Sequence, residues 1–183
     1  MTISAPSSNL GSGPARLLLV EPNRSAMGML TKRLGDIGYR LSTCECASNA
    51  AAEMQRSPVD LVLAEIRMMP MSGLDLLRLI RDDVSLKETP VILITGRSDS
   101  AGAVEGFAAG ADDVVAKPFH IEVLAARIAR RIARARADRD LAHDKATLDA
   151  RVVTRAIELG EVRQALEASE AERIRLARLV NGG

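Results

Sequence analysis

The stretch DLVLAEIRMMPMSGLDLL at residues 60–77 decides the fold. Its first part, DLVLA at 60–64, is almost uniformly apolar after the aspartate, which predicts a strand that is buried on both faces. A loop rich in Met, Pro and Gly follows, and a helix is predicted from about Leu74 to Asp83. A buried strand, a loop and a helix in this order indicate a parallel sheet covered by helices.

The same alternation of strand and helix continues in both directions. Four further short stretches predict strands, at 17–20, 40–45, 90–95 and 113–116. Further helices are predicted at 24–37, at 100–109 and before Pro58, where Ser48 or Asn49 can cap a short helix. Five strands, each followed by a helix, predict an α/β fold with a doubly wound parallel sheet.

Composition limits the classes of function. The net charge of +1 gives no general attraction to nucleic acid or membranes, and no apolar run approaches the roughly 18 residues of a membrane span. Residues 1–15 are small and polar and lack the features of a signal peptide, so we expect a disordered leader on a cytoplasmic protein. Cys44 and Cys46 would share one face of a strand, either as buried small residues or for redox or metal chemistry. Only His120 and His143 could complete a zinc site, which is therefore not expected.

Four polar residues follow the predicted strands. They are Glu21, Glu65, Thr95 and Lys117. Because functional groups gather at the carboxyl ends of parallel strands, two acids, a hydroxyl and an amine should converge at one edge of the sheet. The alternative is that the ends of strands are simply polar.

Four stretches together resemble the receiver (CheY-like) domains of two-component signalling. They are LLLVEPN at 17–23, DLVLAEIRMMPMSGLDLL at 60–77, PVILITG at 90–96 and GADDVVAKPF at 110–119. The resemblance covers roughly residues 16–133 and implies a flavodoxin-like sheet of five parallel strands. In such domains an acidic pair and an aspartate hold Mg²⁺, and the aspartate accepts a phosphoryl group. Thr95 and Lys117 match the residues that bind the phosphoryl oxygens, and Pro118 matches a proline whose peptide bond is commonly cis.

Three positions depart from that pattern. The acidic pair reads Glu21-Pro22, the acceptor position holds Glu65, and the aromatic switch position holds Val114; the loop proline, Pro70, also comes one place late. Only Glu21 and Glu65 would remain as Mg²⁺ ligands, so the metal site should be weak and no cofactor is expected.

The substitution at position 65 has a geometric consequence. Glutamate moves its carboxylate outward by about 1.3 Å relative to aspartate, toward Lys117 and Thr95. We predict an ion pair between Glu65 and Lys117 that holds the site in one state without phosphorylation. The alternative is that Glu65 is an exposed loop acid beside a degenerate site.

Residues 134–183 predict a long helix. Apolar residues fall in two heptad columns, Leu141, Leu148, Val162 and Leu176 in one and Val152, Leu159, Leu166 and Val180 in the other. Lys145, Arg155, Ser169 and Arg173 interrupt them. This spacing predicts a homodimeric, parallel coiled coil, and the alternative is a helix that folds back on the receiver-like domain. The arginine-rich segment 127–139 resembles a basic DNA-reading region but also fits a solvated helix face, so nucleic acid is not an expected partner.

Together these features predict a phosphorylation-independent pseudo-receiver. It would be a dimeric signalling module without enzymatic activity that binds a protein partner such as a histidine kinase. The alternatives are a conventional phospho-accepting response regulator, and the regulatory front end of an enzyme whose output domain is missing.

Overall fold

The structure, a computed structural model, describes the backbone of residues 13–181 and the side chains of all of these except 165 and 176–181. The elements follow in the order β1 (Arg16–Val20), α1 (Arg24–Ile37), β2 (Arg40–Cys44), α2 (Ala47–Arg56), β3 (Leu61–Glu65), α3 (Gly73–Asp82), β4 (Val91–Thr95), α4 (Ser100–Ala108), β5 (Asp113–Ala116) and α5 (Ile121–Asn181). All strand pairs are parallel, in the order β2-β1-β3-β4-β5. The predicted doubly wound α/β fold is confirmed.

The two faces of the sheet bury separate cores. Strands β3 and β4 are buried at every position because helices cover them on both sides. On one face Val62 and Leu93 pack with α2 and α3, and on the other Leu63 and Ile92 pack with α1 and the first turns of α5. Aliphatic side chains make up most of both layers, as the shortage of aromatic residues requires, and Tyr39 is a buried aromatic residue in the second.

Two local predictions need correction. Strand β3 covers 61–65 rather than 60–64, so Glu65 is the last strand residue and Asp60 lies before the strand, where its carboxylate accepts the backbone N–H of Arg16 at 2.8 Å. Helix α2 begins two or three residues earlier than a cap at Ser48 or Asn49 would place it. Its N-cap is Cys46, which makes no side-chain capping hydrogen bond.

The loop between β3 and α3 is held close to the end of β3. The backbone N–H of Gly73 donates to the carbonyl oxygen of Ile66 at 3.0 Å, and a Cβ at Gly73 would overlap the carbonyl oxygen of Glu65. Ser72 then caps α3 in a capping box with Asp75. Glycine is needed at 73 because the helix starts directly against the strand end that carries Glu65.

Helix α5 contributes to two compact units of the chain, which divide between Arg136 and Ala137. In the first unit, Leu124, Ile128 and Ile132 are buried in the core. The second unit is helical, and Gly160 does not interrupt it. None of the helices in the described part of the chain has the length and apolar character needed to cross a bilayer. The leader predicted at 1–15 falls mainly on residues 1–12, outside the described residues.

Candidate functional site

One ammonium group joins two carboxylates at the carboxyl ends of the strands. Lys117, just after β5, donates from Nζ to Oε2 of Glu65 at 2.7 Å and to Oε2 of Glu21 at 2.8 Å. Strand β1 places Glu21 and β3 places Glu65, and the two strands are neighbours in the sheet. The predicted pairing of Glu65 with Lys117 is confirmed, and Glu21 shares the same lysine.

Both carboxylates are buried and have further donors. Glu21 is 2% exposed and Glu65 is 8% exposed. The other oxygen of each acid accepts a backbone N–H group. For Glu21 the donor is Asn23, at 3.0 Å, and for Glu65 it is Arg67, at 3.2 Å. Buried ionised groups persist only when they are paired in this way. The alternative of an exposed loop acid at position 65 is therefore wrong.

The charge of Lys117 is secured by its partners. Partial burial of the ammonium opposes ionisation, but the hydrogen bonds that it donates to Glu21 and Glu65 outweigh that effect. The net result raises the pKa of Lys117 above its ordinary value. The lysine therefore carries its positive charge throughout the physiological range. The site holds two carboxylates that share one ammonium group.

Thr95 lies at the same edge but has a different partner. The residue is buried at the end of β4, and its hydroxyl donates to the backbone oxygen of Asp99 at 3.4 Å rather than to Glu65. The backbone of β4 nevertheless contacts the site, because the N–H of Lys117 donates to the carbonyl oxygen of Thr95 at 2.8 Å. All four residues predicted at the strand ends thus lie on one edge of the sheet. The ion-pair network includes three of them.

A second ion pair beside the site was not predicted. The guanidinium of Arg67 donates through Nε and Nη2 to the two oxygens of Asp99, each at 2.8 Å. Asp99 also caps α4 by accepting the N–H of Gly102 at 2.9 Å. The Arg67 hydrogen bonds, then the Gly102 N–H, hold the pKa of Asp99 well below its usual range. The sequence feature that could have indicated this pair is the position of the two residues, since both follow the ends of the adjacent strands β3 and β4.

Val114, at the predicted switch position, lies in β5 against Gly106, near the C-terminal end of α4. A Cβ at Gly106 of α4 would lie 3.0 Å from Leu93 and 3.2 Å from Val114, so the glycine allows close packing of this helix on β4 and β5. Valine has no ring to rotate between two positions. Its role in switching stays a prediction.

The donor set does not fit Mg²⁺. Pro22 is exposed and offers no carboxylate, and Lys117 occupies one oxygen of each remaining acid. Among the described residues, no group of three His, Cys, Asp or Glu side chains could hold a metal ion. Octahedral coordination by carboxylates would require Lys117 to leave both of them. Cys44 and Cys46 are free thiols, and burial is the main cause that raises the pKa of Cys44.

The arginine-rich start of α5 is partly engaged with the receiver-like core. Arg127 binds Asp113 of β5 through Nη1 at 2.9 Å, and Nη2 of Arg131 lies 3.7 Å from the same carboxylate. Asp113 is 7% exposed. These two arginines therefore neutralise a buried acid, a role that sequence reasoning did not assign to them.

Comparison with known proteins agrees with this fold. A family model described as the response regulator receiver domain matches residues 17–129, which is more than half of the chain. The chain therefore belongs to the response regulator receiver domain family.

Its relatives include ordinary response regulators. The two-component response regulator PhoP of Pseudomonas aeruginosa is 37% identical over 113 residues, which cover 62% of this chain and 49% of PhoP. The DNA-binding response regulator MtrA of Mycolicibacterium smegmatis is 33% identical over 119 residues, which cover 65% of this chain and 51% of MtrA. The crystal structure of the Vibrio cholerae chemotaxis protein CheY4 superposes with a TM-score of 0.60 at 28% identity, covering 64% of this chain and 98% of CheY4. The chain spans about half the length of the curated relatives it matches.

Proposed function

We propose that this chain is a pseudo-receiver, a response-regulator-like module that signals by binding a protein partner without being phosphorylated. The observation that carries the proposal is the position of Lys117, whose ammonium binds Glu65 and Glu21 at once. The partner would be a histidine kinase or another signalling protein. A dimer formed through the C-terminal helix would present two receiver heads to it. No enzymatic activity is part of the proposal.

The chemistry of phosphoryl transfer supports this proposal. Transfer to a carboxylate depends on positioning of the attacking oxygen and on neutralisation of the developing charge. Here the attacking group would be Glu65, one oxygen of which is bound to Lys117 and the other to a backbone N–H. The same lysine would have to leave both acids in order to meet an incoming phosphoryl group. An internal carboxylate thus takes the place that a phosphoryl group would take beside the lysine.

Phosphorylation with a small-molecule donor tests the proposal. The 183-residue chain is incubated with acetyl phosphate and Mg²⁺, and the intact mass is measured. We expect the wild type to stay unmodified and the double variant Pro22→Asp/Glu65→Asp to gain one phosphoryl group. Pro22→Asp alone is the matched control, because it adds a metal ligand while Glu65 stays in place. A stable phosphoryl group on Glu65 of the wild type would overturn the proposal.

A conventional phospho-accepting regulator is the competing function. It is favoured by the relatives, which are named as two-component and DNA-binding response regulators. Binding to DNA that weakens steeply with salt, and strengthens after treatment with acetyl phosphate, would support it. The third possibility, the regulatory front end of an enzyme, stays a prediction.

A further inference from the structure

Beyond Arg136, helix α5 carries an apolar seam that the single chain leaves exposed. Its members are Leu141, Leu148, Val152, Leu159, Val162 and Leu166, each between 58% and 70% exposed. They follow the alternating steps of three and four residues that place side chains on one stripe of a helix. Lys145 and Arg155 occupy the two seam positions between 141 and 166 that are not apolar.

We infer that this helix pairs with the same helix of a second copy in the antiparallel direction, with Leu148 of each chain against Leu159 of the other. The inference rests on the dimeric state in the proposed function and deepens it by assigning direction and register. A second copy is the occupant because the charges of the seam and its flanks complement themselves when one helix is reversed.

The parallel arrangement, which spacing alone predicts, brings like charges together. Each seam residue then faces its own counterpart, so Lys145 faces Lys145 and Arg155 faces Arg155. On the flank, Asp144 would lie beside Asp149 of the second copy. Only Glu158 with Arg163 would form an attractive flanking pair. Juxtaposed like charges in a partly desolvated seam oppose association.

Reversing one helix removes these conflicts. Seam residues in the first column then face residues of the second, which pairs Leu141 with Leu166, Leu148 with Leu159, Lys145 with Val162, and Arg155 with Val152. Each cation meets an aliphatic side chain, and its long stem can cover that apolar surface while the charge reaches water. Every apolar residue of the seam between 141 and 166 gains a partner in this register.

The flanking charges select the same register. With Leu148 against Leu159, Arg151 of each chain lies beside Glu158 of the other, which gives two attractive pairs. Sliding the second copy by one heptad would instead place Glu158 against Glu158. Opposite charges at such flanking positions set orientation and partner choice in coiled coils.

Disulfide cross-linking of the 183-residue chain tests the direction and register of the helix pair. Cys44 and Cys46 are first replaced by alanine, and Leu148→Cys and Leu159→Cys are made separately in that background. We expect oxidised dimers when the two variants are mixed and few when either is alone. Cross-linking of each variant with itself would establish the parallel arrangement and overturn the inference. A dimer that cross-links in neither experiment, or a monomer at all concentrations by sedimentation, would overturn it as well.

A charge exchange provides an independent test. Arg151→Glu and Glu158→Arg should each raise the dissociation constant of the dimer, by a factor on the order of five for two exposed pairs. The double variant should restore it, because the antiparallel pairs are re-formed with exchanged signs. In a parallel dimer the double variant would stay weakened, since arginine at 158 would face Arg163. Neither test involves the phosphorylation site, so their failure would leave the acetyl phosphate result unaffected.

Discussion

The Nζ atom of Lys117 lies 2.7 Å from Oε2 of Glu65, although the two residues are 52 positions apart in the sequence. Their contact joins the end of β5 to the end of β3, with β4 between them in the sheet. The lysine also binds Glu21 at the end of β1. The network therefore connects the carboxyl ends of three strands and should stabilise the whole edge of the sheet that carries the site.

Replacing Lys117 by methionine should destabilise the protein markedly. The side chain keeps its length, but Glu21 and Glu65 lose their shared cation while they remain buried. Breaking a buried ion pair typically costs about 3–5 kcal/mol, and the partial exposure of Lys117 lowers our expectation to about 2 kcal/mol. Chemical denaturation at pH 7 measures the change. Lys32→Met, on the exposed side of α1, is the control and should change the free energy of unfolding by less than about 0.5 kcal/mol.

The stability difference between the wild type and Lys117→Met should depend on pH in the alkaline range. The folded-state pKa of Lys117 is raised above 10.5, since the hydrogen bonds to the two acids outweigh burial. Its contribution to stability is thus complete below about pH 10.5 and is lost as the pH rises through the folded-state pKa. The difference in unfolding free energy between wild type and Lys117→Met should be nearly constant from pH 7 to about pH 10 and should narrow above about pH 10.5. Tyr39, whose pKa is raised by burial, is present in both proteins and cancels. A difference that widens with pH would contradict the assigned ion pair.

Gly73→Ala should destabilise the strand end that carries Glu65. The new Cβ would overlap the carbonyl oxygen of Glu65, and the backbone of the β3–α3 loop would have to move. We expect a loss of about 1–3 kcal/mol, typical of overpacking. Gly28→Ala in α1 is a matched control, because a Cβ there has no atom within 4 Å, and alanine should stabilise that helix by up to about 1 kcal/mol. Equal effects at the two positions would show that Gly73 is not required for the close approach.

The Arg67–Asp99 pair predicts a titration shift. Hydrogen bonds from Arg67 are the first cause that lowers the pKa of Asp99 below its ordinary 3.8. In Arg67→Gln the pKa of Asp99 should rise toward that value, as followed by NMR of the carboxyl carbon. The stability contributed by Asp99 is present above pH 3.8 and is lost as the pH falls through the folded-state pKa, so the variant should lose less stability on acidification. Asp83 is the internal control, because its pKa is lowered by Ser85 and should not move.

The sequence patterns were sufficient for the layout of the sheet and for the contact between Glu65 and Lys117. Strand order follows from right-handed crossovers and the family motifs, and Glu65 and Lys117 both come at the carboxyl ends of strands that meet at one edge of the sheet. The capture of Glu21 by the same lysine could not be predicted, because it depends on the rotamer of one long side chain. The Arg67–Asp99 pair lies in two loops whose conformations depend on Gly73 and on the α4 cap. Such loop geometry comes from tertiary packing rather than from local pattern.

Two adjacent valines in the C-terminal helix distinguish the effect of packing at the seam from the effect of removing any exposed apolar side chain. Val152 lies on the proposed seam and Val153 does not, yet they are 61% and 59% exposed in the single chain. Only the folded helix can pair with a second copy. The thermal transition of the helix should therefore shift upward with protein concentration, whereas the transition of the receiver-like domain should not. Val152→Asn should abolish the concentration dependence of helix melting, measured by circular dichroism between micromolar and millimolar protein. Val153→Asn is the matched control, because it makes the same replacement one position away from the seam. It should leave the concentration dependence of helix melting unchanged. Equal behaviour of the two variants would mean that the exposed seam is not where the second copy binds.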